Sequence, residues 1–146
     1  MRQVLKKDKN AVLLSVGTGS DFEAVCEYAK KLQVDENIRF LGVRDDIPAL
    51  LSAADVFVFP SRFEGLSITC IEAQFSGLPC VLSENISSET KISEDVYVLP
   101  IDSADSWADT VLMLCKERKS ASLNAEVLKN YDIANQQYQI KSILEV

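Results

Sequence analysis

The chain has 146 residues, enough for one domain with a core of its own. Hydrophobic residues make up 47% and charged residues 25%, an ordinary globular mix, and the net charge of -7 argues against a nucleic-acid partner held through its phosphates. There is no histidine, which removes Ser/His and Cys/His nucleophile systems, His-ligated zinc and imidazole acid–base chemistry. The four cysteines, Cys26, Cys70, Cys80 and Cys115, show no C-x-x-C spacing and read as small buried hydrophobes of a reducing compartment. Met1 to Asn10 is too polar for a signal peptide, and no apolar run approaches the ~20 residues of a membrane span. The expected location is the cytoplasm, with the inner face of the membrane as a variant and membrane contact left open.

In chain order, Met1 to Lys7 reads as the last turns of a helix that runs into the first strand, Ala11 to Val16. Further strands are expected at Ile38 to Leu41, Asp55 to Phe59, Pro79 to Leu82 and Val96 to Leu99. Each is rich in Val, Ile, Leu or Phe and bounded by Gly or Pro, as buried parallel strands are. Helical patterns fill the intervals: Asp21 to Leu32, Ile47 to Ala54, Leu66 to Ser76 with Gly77 as its stop, one or two turns in Ser87 to Glu94, and Ser103 to Arg118 with Trp107 on its apolar stripe. Residues 120–146 read as two more helices with a break near Tyr131 and Asp132. Strands alternating with helices predict an α/β fold with a doubly wound, Rossmann-like parallel sheet and ligands at the carboxyl ends of its strands. Such a unit normally opens with a strand. The helical start therefore predicts a single partial domain over 1–146, lacking its first strand.

The most informative segment is Pro60 to Val81, PSRFEGLSITCIEAQFSGLPCV. A strand ends, a loop carries Glu64 and Gly65, and a helix begins near Leu66 or Ser67. The first amides of that helix, at Ser67, Ile68 and Thr69, have no intrahelical acceptor and sit at the positive end of the helix dipole. This is a good cradle for a diphosphate, and Gly65 allows close approach of the backbone. Glu72 falls about one and a half turns into the helix, about 8 Å along its axis. One carboxylate can then take sugar hydroxyls and the other ribose hydroxyls. A solvated helix glutamate beside an ordinary loop charge is the bland alternative.

With its flanks, the segment resembles the E-x7-E signature of the family-four retaining glycosyltransferases, which have the GT-B fold. IRFLGVRDDIPALLSAADVFVFPS is similar to the stretch before that signature, and VYVLPIDSADSWADTV to the stretch after it. The resemblance covers roughly Ala11 to Cys115. It implies the C-terminal, donor-binding half of the enzyme and a UDP- or GDP-sugar as donor, with no metal and no other cofactor. Glu64 would serve as the catalytic-site carboxylate and bind the donor sugar, helped by Gly65 and by backbone groups of Leu66 and Ser67. Amides of Ile68 and Thr69 would hold the diphosphate, Glu72 the ribose, and Val43 and Arg44 the base. Arg44 reads equally well as a surface cation beside Asp45 and Asp46.

The family's basic pair, in the loop after the first strand of this domain, has no counterpart here, and neither does the N-terminal acceptor domain. The implied role is donor recognition for sugar transfer, with retention, to a glycan or lipid-linked acceptor. The isolated chain would bind nucleotide without transferring sugar. The alternatives are an inactive nucleotide- or sugar-binding module and, further off, a flavodoxin-like interaction domain. Loss of the central strand would leave edges unpaired, which the remaining strands could close or a second copy could fill, giving a homo-oligomer. Gly17-Thr18-Gly19 lacks the third glycine of a dinucleotide fingerprint, Phe22 standing there, and reads as a tight turn. No Asp-x-Asp is present to hold a metal.

Overall fold

The computed structural model describes residues 1–117; the two helices expected in 120–146 lie outside the described residues. Helix α1 (Arg2–Lys7) leads into strand β1 (Leu13–Val16), followed by α2 (Phe22–Lys31), β2 (Ile38–Gly42) and α3 (Ile47–Ala53). Then come β3 (Phe57–Phe59), α4 (Ile68–Phe75), β4 (Cys80–Ser83), β5 (Val96–Leu99) and α5 (Ala104–Glu117). All the strand pairings are parallel, as alternation of strand and helix requires. The expected strands start up to two residues early: Ala11, Val12, Asp55 and Val56 precede their ladders. The one or two helical turns expected in Ser87 to Glu94 shorten to a single turn. Only a 3₁₀ turn forms, Ser88–Thr90, capped by the Ser87 hydroxyl accepting from the Glu89 amide.

The ladder is interrupted. β1 pairs with β2, and β3–β4–β5 form a second sheet. This is the doubly wound order with no strand between β1 and β3 among the described residues. The remaining strands do not close up. β1 shows the consequence: Leu13, Leu14 and Val16 point to alternate faces yet are 36%, 39% and 42% exposed.

β4 is the opposite case, with all four residues buried. Its side chains alternate between two clusters. Cys80 and Leu82 pack with Leu51 of α3 and with Cys70 and Ala73 of α4. Val81 packs on the other face with Trp107 and Leu114 of α5. The expected core position of Trp107 holds, and its indole N–H donates to the Pro100 carbonyl at 2.8 Å. Helix α1 also packs on α5, through Gln3 Nε2 donating to Asp105 at 2.7 Å and through the exposed Lys7–Asp109 ion pair.

Helix ends follow local chemistry. α4 stops at Gly77, whose φ of 76° lets its amide reach the Gln74 carbonyl while the Leu78 amide reaches Ala73. That is the paired-hydrogen-bond stop for which glycine is best suited. α2 uses the same stop with Gln33 at φ 55°: the Gln33 amide donates to Lys30 and the Val34 amide to Ala29.

A candidate nucleotide-diphosphate site at the start of helix α4

β3 ends at Phe59, and the chain turns through Pro60 to Ser67 before α4 begins at Ile68. Ser67 is the N-cap, 5% exposed, with extended backbone and no side-chain cap bond. Its carbonyl accepts the first helical bond, from Ile71, so the amides of Ile68, Thr69 and Cys70 have no intrahelical acceptor. They lie at the carboxyl ends of β3 and β4. Ile68 and Thr69 are exposed and Cys70 is buried. Unpaired donors and the dipole together suit an anion there.

Glu64 is not a free loop residue. It forms an isolated parallel bridge with Ile86, its amide donating to the Asn85 carbonyl and its carbonyl accepting from the Ser87 amide. The backbone under the carboxylate is thus fixed against the loop that follows β4. Ser83, at the end of β4, ties the same two loops: its hydroxyl donates to the Ser61 carbonyl and accepts from the Asn85 amide. Gly65 and Leu66 are exposed beside it.

Glu72 is exposed on α4 and lines a cavity of about 290 Å³ with Phe75 and Ser76 of α4 and with Ile47, Pro48 and Leu51 of α3. Val43 and Arg44 lie in the turn between β2 and α3, three to four residues before α3 begins at Ile47, and neither lines this cavity. Val43 is 75% exposed. Arg44 holds Asp46 with two bonds, Nε to Oδ1 at 2.8 Å and Nη2 to Oδ2 at 2.7 Å. The bland reading of Arg44 therefore describes its side chain, and of the two neighbouring acids it is Asp46, the N-cap of α3, that takes the pair. The pairing lowers the Asp46 pKa, through the Arg44 hydrogen bond first, and raises that of Arg44.

The sequence reading missed Ile47, Pro48 and Phe75 as walls of the cleft. It also missed two fully buried polar side chains behind the site, Gln74 and Thr90. A glutamine inside Glu-Ala-Gln-Phe-Ser-Gly carries no visible signal except that its helix is otherwise apolar on that face.

Comparison with known proteins bears on the family and the fold. The family description "Glycosyl transferases group 1" matches residues 1–117. The chain is 29% identical over 145 residues to the UDP-Gal:alpha-D-GlcNAc-diphosphoundecaprenol alpha-1,3-galactosyltransferase of Escherichia coli, covering 92% of this chain and 36% of that protein. It is 38% identical over 109 residues to the putative glycosyltransferase EpsF of Bacillus subtilis, covering 68% of this chain and 26% of the relative. Among solved structures, Anabaena HepE in complex with UDP superposes with a TM-score of 0.78 at 18% identity, over 99% of this chain and 44% of that one. The chain thus spans 36% and 26% of the length of these two curated relatives. On the family match and the shared GT-B architecture, the chain belongs to the group 1 glycosyltransferases.

Proposed function

We propose that this chain supplies the donor-recognition half of a retaining transferase that moves a sugar from a nucleotide diphosphate to a glycan or lipid-linked acceptor at the cytoplasmic face of a membrane. The observation that carries the reading is the placement of two carboxylates around the open start of α4: Glu64 on a braced loop before it, Glu72 in the α3–α4 cleft beyond it. In this reading the Ile68 and Thr69 amides take the diphosphate and Glu72 accepts from the ribose hydroxyls. The base rests near Val43 and the Arg44 backbone. Glu64, with Gly65, Leu66 and Ser67, faces the donor sugar. Charge that develops on the leaving diphosphate is met by fixed backbone dipoles, an electrostatic form of catalysis that needs no metal.

Donor recognition alone does not complete the reaction. We expect the 146-residue chain to bind nucleotide and to show no useful transfer by itself; a measurable transferase rate would overturn that expectation. The central test is calorimetric titration with UDP and GDP against wild type and Glu72→Ala. Removing one partner of a charged hydrogen bond costs about 1.5–3 kcal/mol, roughly tenfold to a hundredfold in affinity. A folded chain that binds neither nucleotide would defeat the donor reading.

A further inference from the structure

Behind the cradle lies a buried polar relay. Gln74 and Thr90 are both fully buried. The Gln74 side chain uses its whole hydrogen-bonding capacity. Its amide nitrogen donates to the Cys70 carbonyl at 2.9 Å and to the Thr90 carbonyl at 2.8 Å. Its oxygen accepts from the Ile92 and Ser93 amides at 2.9 and 3.0 Å. An amide can make four such bonds, so this one is saturated and fixes the loop after β4 onto α4. The loop in turn presents the Thr90 hydroxyl to the turn that carries the site. That hydroxyl accepts from the Ser67 amide and donates to the Gly65 carbonyl, each at 3.4 Å.

We propose that Thr90, held by Gln74, is a positioning residue that sets the Gly65–Ser67 turn and thereby the anion cradle at the start of α4. The Thr90 hydroxyl makes both bonds at once, and so closes the turn from behind. It also occupies the Ser67 amide, which leaves the next amides, Ile68 and Thr69, as the ones turned toward a ligand. The relay is tight at Gln74 and longer at Thr90, so the turn is guided by the hydroxyl while its foundation is rigid. The functional half of the proposal rests on the nucleotide reading given above; the structural half does not.

The test uses the full chain and three substitutions. Thr90→Val keeps the shape and removes the hydroxyl; Thr90→Ser keeps the hydroxyl; Gln74→Met fills a similar volume and removes the four bonds. Amide hydrogen exchange at Ser67 is read in the ligand-free protein, and UDP and GDP affinities are read by calorimetry. Expected for Thr90→Val are Ser67 exchange and nucleotide dissociation each raised about tenfold, one hydrogen bond's worth, with both restored in Thr90→Ser. Gln74→Met is expected to reproduce the Thr90→Val exchange pattern; if it does not fold, the Thr90 pair decides the matter. Unchanged Ser67 exchange in Thr90→Val overturns the proposal, and so does lost protection with wild-type nucleotide affinity. If wild type binds neither nucleotide, the donor reading fails, and Ser67 exchange alone decides whether Thr90 sets the turn.

Discussion

At the scale of the residue, burial decides chemistry more than identity does. Cys70 and Cys80 are fully buried, while Cys26 and Cys115 are partly exposed. Burial raises the Cys70 and Cys80 thiols from their ordinary value near 9, because a thiolate is poorly solvated there. Both should resist a thiol-modifying disulfide reagent in the folded chain, with Cys26 the fastest site and Cys115 next. Rapid labelling of all four without denaturant would contradict the packing around β4. The sign of the pH effect follows. The unfolded chain releases these protons from about pH 9 upward, while the folded chain retains them. Stability is therefore fully present below pH 9 and falls as pH rises beyond it, which alkaline denaturation midpoints would register. None of this was visible in cysteine spacing, which excluded a metal or redox motif but said nothing of depth. Glu64, in contrast, stood out as a site candidate from its neighbours in sequence, while the bridge to Ile86 that braces it joins residues 22 positions apart.

At the scale of the element, the two helix stops are a controlled comparison. α4 and α2 end with the same pair of hydrogen bonds, one around Gly77 and the other around Gln33. A side chain at positive φ costs about 1 kcal/mol that glycine does not incur. Gln33→Gly should therefore stabilise the chain by roughly 0.5–1 kcal/mol in urea denaturation, and Gly77→Gln should destabilise it by at least as much. Gly42, at φ 65°, sharpens the argument: a Cβ there would meet nothing within 4 Å, so Gly42→Ala should cost about 1 kcal/mol from backbone conformation alone. The sequence revealed the Gly77 stop because glycine advertises it. The Gln33 stop was hidden because no propensity marks a glutamine for the left-handed region. The Ser87 to Glu94 segment stops at a single 3₁₀ turn for a related reason. Its Ser and Thr side chains compete for local backbone bonds, and Gln74 claims the amides of Ile92 and Ser93.

At the scale of the whole molecule, the order and direction of the strands were readable from alternation and Gly/Pro punctuation. The five strands of the described residues appear within two residues of their expected places, in two ladders rather than one. What could not be read was whether the strands would close the interval, since that depends on helix packing on both faces. They stay apart, and the two halves carry unequal cores. Both large buried clusters belong to the β3–β4–β5 half, while β1 keeps apolar residues in solvent. Amide exchange should show β4 protected to near the global unfolding energy and β1–β2 opening at lower cost; equal protection of the two ladders would refute this. Exposed apolar edges also attract other edges. Sedimentation should show self-association that Leu14→Lys reduces.

The interrupted ladder bears on motion as well. Among the described residues no backbone hydrogen bond ties β1 to β3; the chain crosses between the halves at α3, and α1 clasps α5. The Lys7–Asp109 ion pair in that clasp is exposed on both sides and holds weakly, the more so in salt. A hinge along the line between the two sheets is the expected consequence. The Gly17–Gly19 turn and the Glu64 loop, each at the carboxyl end of a strand beside that line, can swing relative to one another without breaking either ladder. Spin labels at Thr18 and Arg62 should report a broad distance distribution that widens with ionic strength, whereas a pair within the β3–β4–β5 half should give one sharp distance under all conditions.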